Sequence, residues 1–290
     1  MNYSAHGCDA LNQALNNSYQ KTDPTKFCYT VPQDWKLISP KEKPKTKVNY
    51  VIATWSGKRR KGNNQILEDP TAYIQQHLDH IRRLDNNLTQ ITIMVPHNPK
   101  ESPRFTDFIS QIPSKVVGTE TDISILRRPN EGQSYGSYVD CYKTYTNQFD
   151  YYIFAEDDYV PAQHNFDQIL IQMFNACQSC GYLCSRVCNY PPTTGRPHAA
   201  ISNGITSSSI LKSLVDKLGD IPCGRASTRK YKYAAVPQLE FSWGFLDSKH
   251  WLYDYSTHYC APYHHVGSIQ HYGSIKKPPL FVPLQTKGLR

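Results

Sequence analysis

Long apolar runs are missing from this chain, and so is most of the usual methionine. No stretch approaches the roughly 18 consecutive apolar residues of a membrane-spanning helix, and mean hydropathy is −0.58. No membrane span is therefore expected. The opening residues, Met1-Asn2-Tyr3-Ser4-Ala5-His6, carry neither a basic stretch nor an apolar core after it, so no secretory leader is read and a cytoplasmic setting is expected. Charged residues make up only 19% of the chain while hydrophobic ones reach 39%, which excludes an intrinsically disordered polymer. No internal repeat is visible. The two glycines of Gly57-Lys58-Arg59-Arg60-Lys61-Gly62 are followed by Asn63-Asn64. The Lys and Ser/Thr of a phosphate-gripping P-loop are thus missing.

What is present is tyrosine, 21 of them, and positive charge, 32 Lys+Arg against 24 Asp+Glu for a net +8. The charge favours anionic partners without choosing among nucleic acid, phosphate groups and anionic surfaces. Nine cysteines, an odd number with no export signal, suit a reduced intracellular compartment. Cys177-x2-Cys180-x3-Cys184-x3-Cys188 has zinc-like spacing, yet Cys184 falls in a strand-like run and no His lies close by. Buried free thiols are the simpler reading.

The 290 residues fit one large domain. Residues 1–46 read as a polar N-terminal extension, with Pro40-Lys41-Glu42-Lys43-Pro44-Lys45 as loop or linker. Strand and helix patterns then alternate. Val48–Trp55, Ile91–Val95, Ile123–Leu126 and Tyr151–Ala155 read as buried strands; Asp69–Leu84, Phe105–Ile112, the segment after Gly136, and Phe166–Met173 read as helices. Such alternation predicts an α/β fold with a mostly parallel sheet. Past residue 180, Tyr182–Val187 and Ala199–Thr206 read as strands, and Ser207–Leu218 as a helix capped by Gly219. Residues 47–180 form one half of the expected domain, and 181–290 read as a substrate-shaping half of the same domain.

The most informative residues are Glu156-Asp157-Asp158, directly after an apolar strand. Ligands of α/β sheets bind at the carboxyl ends of strands. Three consecutive carboxylates repel one another unless a cation or hydrogen-bond donors compensate, and hard divalent cations suit carboxylate oxygens. The competing reading is a solvated, helix-capping turn. Phe154-Ala155-Glu156-Asp157-Asp158-Tyr159 resembles the D-x-D element of GT-A glycosyltransferases, in the Glu-Asp-Asp form of the N-acetylglucosaminyltransferase I group. The chain is also similar to the small soluble glycosyltransferases of large algal DNA viruses.

The resemblance, over about residues 48–275, implies a GT-A-like (Rossmann-like) sheet flanked by helices in a single domain, with 47–180 as its nucleotide-sugar-binding half and 181–290 as its acceptor-binding half. It implies Mn²⁺ or Mg²⁺ held by Asp158, on a nucleoside diphosphate sugar, UDP by default, with Glu156 and Asp157 beside it. The nucleotide pocket would come from Thr54, Trp55, Arg127, Arg128, Gly132 and Ser134, with Asp140 reaching a ribose or sugar hydroxyl. Arg and Gly-loop amides suit a diphosphate, and the helix opening after Gly132 favours an anion at its start. Tyr263-His264-His265-Val266-Gly267 resembles a late His-x-Gly element whose His completes the metal shell; the match falls on His265, with His264 and His271 as rivals.

An inverting transfer to a glycan hydroxyl needs a general base. Glu240, among apolar and aromatic neighbours, is the first candidate, with Asp247 and Asp254 as alternatives. Trp243 and Phe241 suit either sugar stacking or core packing, and Asn203-Gly204 a sugar contact. A carbohydrate- or nucleotide-binding protein without turnover is the rival reading. A nucleic-acid binder, motivated by net charge, fits poorly with an acidic cluster at a strand end.

Overall fold

In the computed structural model the described residues are 28–30, 45–57, 59–60, 66–67, 69–185, 187–188, 197–199, 203–225, 235–255 and 281–283. Chain order runs β1 (Cys28–Thr30), β2 (Val48–Ala53), β3 (Arg59–Arg60), β4 (Ile66–Leu67), α1 (Thr71–Arg83), β5 (Gln90–Pro96), α2 (Pro103–Gln111) and β6 (Asp122–Arg128). There follow α3 (Gln133–Thr144), β7 (Tyr151–Glu156), β8 (Tyr159–Pro161), α4 (Phe166–Ala176), β9 (Cys180–Cys184), β10 (Val187–Cys188) and β11 (His198–Ala199). The order ends with β12 (Gly204–Ser207), α5 (Ser208–Leu218), α6 (Ala235–Asp247), β13 (Trp251–Asp254) and β14 (Phe281–Pro283).

Eight strands form one sheet in the order β1-β13-β9-β12-β7-β2-β5-β6. All neighbours are parallel except β12, which runs against both β7 and β9. The chain winds outward from β2 through β5 to β6, then returns to place β7 on the other side of β2. Strand order reverses between β2 and β7, and such a switch point opens a crevice at the carboxyl ends of the two strands.

The alternating side chains of the strands build two cores. On one face Tyr50, Ile52, Ile93 and Ile153 pack with Ile74 and Ile81 of α1, Phe105 of α2 and Phe166 and Met173 of α4. On the other, Val51, Phe154 and Tyr182 pack with Tyr138 of α3, Leu211 and Leu214 of α5 and Phe241 and Phe245 of α6. This three-layer arrangement is the expected fold class: a mostly parallel sheet flanked by helices in one unit. The second core is built largely of rings. Tyr138 stacks on Phe154 at 4.3 Å between centroids, and Tyr182 on Phe245 at 5.6 Å. Tyrosine richness is therefore spent in part on packing.

Helix ends follow local chemistry. Ser102 accepts from Phe105 N–H at 3.1 Å with Pro103 at the first helical position of α2. Ser207 caps α5 through Ile210 N–H, and Gly219 closes it at φ 82°. β1, within the segment read as an extension, pairs with β13 in the main sheet. One part of the architecture differs from expectation. Residues 235–247, left without an element by sequence pattern, form α6. It is buried at Leu239 and from Phe241 through Leu246, so no amphipathic period shows.

Truncating Phe154 to Ala removes the ring at the centre of the second core. It should cost about 3–5 kcal/mol, read as a lowered urea midpoint with an unchanged slope.

Candidate active site

Four neighbouring parallel strands end together. From their carboxyl ends and the loops just after them come Ala53, Thr54 and Trp55 (β2), Pro96 (β5), Asn130, Gln133 and Ser134 (after β6), and Glu156 and Asp157 (β7). These residues line a cavity of about 300 Å³. It lies at the switch point: Ala53 is in register with Glu156, and Asp157 N–H donates to the Ala53 carbonyl at 3.0 Å.

The acidic turn is held by hydrogen bonds from several elements. Asp157 is fully buried, and Thr54 Oγ1 donates to its carboxylate. Ser134 Oγ, in the first turn of α3, donates to Glu156 Oε1 at 2.6 Å across the cavity. Glu156 N–H donates to Asn203 Oδ1 at 3.2 Å. Beneath the turn, His77 of α1 is fully buried, with Nε2 3.3 Å from the Glu156 carbonyl and Nδ1 3.4 Å from Tyr50 OH. A carbonyl only accepts, so Nε2 carries the proton and Nδ1 accepts from the tyrosine.

Asp158, the next residue, is half-buried and is not among the cavity-lining residues. Trp55 is half-buried, and its indole folds back over Gly57. A Cβ there would stand 2.7 Å from both Trp55 Nε1 and Asn98 Nδ2, so glycine is what permits the approach.

The remaining expected residues are placed elsewhere. Arg127 makes a two-pronged ion pair with Glu101, at 2.6 and 2.8 Å. Arg128 is buried; its Nε donates to Asp140 Oδ2 at 2.8 Å, and its Nη2 to the Glu131 carbonyl. Arg225 reaches the other oxygen of Asp140 at 2.5 Å and the Gly136 carbonyl at 2.9 Å. Arg127, Arg128, Gly132 and Asp140 are thus not among the cavity-lining residues. Gly132 sits at φ 70° with a Cβ position 2.5 Å from the Cys223 carbonyl, which locks the start of α3 against the second half of the chain.

Glu240 is half-buried on α6, and its Oε2 accepts Gly224 N–H at 2.6 Å. Burial pushes its carboxyl up from the ordinary value, against the pull of that hydrogen bond. Asp247 ends α6 at the opposite, amino-terminal edge of the sheet, about 10 Å further along the helix axis. Burial pushes its carboxyl up to about 6, but the structure does not bring it to the cavity. Asp254 closes β13 and accepts Val187 N–H at 2.9 Å. His265 and its rivals His264 and His271 lie outside the described residues.

Among the described residues no group of three or more His, Cys, Asp and Glu is arranged to hold a metal ion. Cys177, Cys180 and Cys184 are buried free thiols, and burial pushes Cys177 up to about 12. They suit packing, not zinc. The acidic turn fits a different kind of site. Mg²⁺-type ions are commonly held by one or two carboxylates plus substrate phosphates and water, with no all-protein cage. Glu156 on the cavity and Asp158 at the turn supply such a set of hard oxygens. Sequence reading passed over Pro96 and the support given by His77; the end of β5 at the same sheet edge pointed to the first.

No family model matches the sequence, and no curated protein matches it. Among solved structures, the fold is similar to a mannosyltransferase from Pyrobaculum calidifontis in complex with GDP-Man and Mn²⁺. Identity is 10% and the TM-score 0.45, over 86% of this chain and 62% of that one. It is also similar to 4-diphosphocytidyl-2C-methyl-D-erythritol synthase from Anaerococcus prevotii, at 12% identity and a TM-score of 0.40, over 72% of this chain and 86% of that one. The chain spans 62% of the mannosyltransferase's length. These likenesses are too distant to argue for an activity. Among the described residues no helix is long and apolar enough to cross a membrane.

Burial drives His77 from its ordinary 6.5 down to about 4, against the pull of Asp157. A histidine kept neutral in the fold is protonated first in the unfolded chain. Stability should therefore fall as pH drops from about 6.5 to about 4, by up to about 3 kcal/mol from this residue. Urea unfolding at pH 7 and pH 4.5 should show a smaller pH loss in His77→Gln than in the parent.

Proposed function

We propose that the chain is a metal-dependent glycosyltransferase that moves a sugar from a nucleoside diphosphate donor, UDP by default, to a hydroxyl of a glycan acceptor. The observation that carries this reading is the acidic turn at the topological switch point, opening onto a cavity walled by four strand ends. The wall offers a half-buried indole, Trp55, for a planar or sugar ring. It also offers side-chain amides at Asn130 and Gln133, and the N-terminus of α3 with Ser134 for a diphosphate.

Asp158 with Glu156 would hold Mn²⁺ or Mg²⁺, and His265 is proposed as a further ligand. The ion when bound supplies positive charge to the departing diphosphate. Asp157 serves from below: buried and bonded to Thr54, it fixes the backbone between the two metal-facing acids. Arg128 and Asp140 act through the wall they brace; two arginines on one carboxylate leave net positive charge behind the α3 N-terminus.

Glu240 is the proposed base of an inverting displacement. Its raised proton affinity suits accepting the acceptor's hydroxyl proton as attack proceeds. It lies on the second half of the chain, linked through Gly224 to the Cys223 carbonyl that abuts Gly132. Asp247, at the far edge of the sheet, is not proposed for this role.

Thermal unfolding should shift upward with one nucleoside diphosphate in the presence of Mn²⁺ and not with EDTA, since a ligand of the native state stabilises it. Asp158→Asn should abolish that shift while leaving the melting temperature of the ligand-free protein in place. A shift that persists in EDTA, or in Asp158→Asn, would move the chain to the class of binding proteins. In Glu240→Gln the nucleotide shift should remain while transfer falls by about 10²-fold or more. Full transfer activity in that variant would assign the base elsewhere.

A further inference from the structure

Two histidines on α1 reach the acidic turn, and neither lines the cavity. His77 Nε2 meets the Glu156 carbonyl at 3.3 Å, and His80 Nδ1 meets the Pro161 carbonyl at 3.1 Å. These carbonyls belong to the last residue of β7 and the last residue of β8, so the two contacts bracket the turn. Both acceptors are carbonyls, so both ring nitrogens are donors.

His77 is a costly choice at its position. It is fully buried beside the apolar Tyr73, Ile74 and Ile81 on the same helix. A polar ring there is tolerated only when its nitrogens are satisfied, and the second nitrogen is satisfied by Tyr50 OH at 3.4 Å. An apolar side chain would fill the core without needing either bond. What imidazole adds is a fixed donor aimed at the backbone between β7 and the acids. The turn needs such a hold, because three adjacent carboxylates repel and gain by splaying apart.

We propose that His77 and His80 are positioning residues that clamp both ends of the Glu156–Pro161 turn onto α1. The clamp keeps the acids in place for a divalent cation, and that part rests on the function proposed above. It acts on the backbone and touches neither substrate nor metal. Tyr50 sets the ring orientation of His77 from the floor of the first core.

The test pairs hydrogen exchange with metal binding in the full chain. Exchange is followed in peptides spanning residues 154–162, which include the Asp157 amide bonded to Ala53. Mn²⁺ affinity is read by the loss of the free-ion EPR signal. In H77L and H80L the turn amides should exchange about tenfold faster, as expected for loss of a supporting hydrogen bond. Mn²⁺ should bind about tenfold more weakly, the usual cost of losing an outer-shell partner. H77Q, whose amide nitrogen can replace the imidazole donor, should restore both.

Unchanged exchange in H77L and H80L would overturn the proposal. So would an H77Q as loose as H77L at equal melting temperature, which would reduce His77 to packing. H80L alters a half-buried residue, so it carries the test if H77L does not fold. A parent chain that binds no Mn²⁺ but whose turn loosens in these variants would leave the clamp standing and remove the metal-dependent function.

Discussion

The parallel pairing of β2 with β7 is the contact on which the site depends. These two strands are far apart in sequence, and residues 48–53 lie beside residues 151–156 along their whole length. The pairing leaves no choice about what meets at its end. Ala53 and Thr54 come up against Glu156 and Asp157, so a hydroxyl faces a carboxylate and a backbone amide caps the strand. Slipping the register by one residue would invert the faces and send Tyr50 and Ile52 to the wrong core. The register that buries the apolar residues is also the one that assembles the acids.

The acids around the site are each held by a local partner. Asp157 has Thr54, Glu156 has Ser134, and Asp140 has two arginines. The last of these holds two parts of the chain together. Arg128 ends β6, Asp140 lies on α3 and Arg225 follows α5. Arg128 also ties the Glu131 carbonyl and Arg225 the Gly136 carbonyl. The start of α3 is thereby braced from both directions. Removing one partner of such a buried set leaves an uncompensated charge and costs far more than the set contributes.

The layers were legible in the sequence because strands buried on both faces read as continuous apolar runs. Val48–Ala53, Ile91–Val95 and Tyr151–Ala155 are of that kind, and the helices between them keep their period. The acidic turn was legible for the same reason: charge directly after such a run is conspicuous. Legibility failed where a residue's role is set by tertiary placement. Arg127 and Arg128 look alike in sequence, yet one pairs at the surface with Glu101 and the other is buried with Asp140. Asp247 looked like Glu240 because both lie in one apolar helix; seven residues of helical rise separate them across the sheet. α6 itself carries no period because it is buried from Phe241 through Leu246. His77 read as one more core position, since periodicity reports which face a residue occupies and not what its nitrogens bond.

In the main sheet β12 alone runs antiparallel among the described strands, and this has a consequence for how the protein can diversify. Because β12 runs against its neighbours, its first residue, Gly204, sits opposite Cys184, the last of β9, and Phe154 of β7. The connection from β9 to β12 therefore departs from and comes back to the edge that holds the acids. Asn203 at its end is bonded to Glu156. Changes of length between residues 188 and 198 would leave the ladders of β12 with β7 and β9 in register, since the pairing of β10 with β11 and the Ala199 bond to Ser242 anchor the chain on the near side. Loops on a rigid frame are where binding preferences change most freely. The architecture thus separates a part that must be kept, β2 against β7, from a part that evolution or an engineer can rewrite beside it.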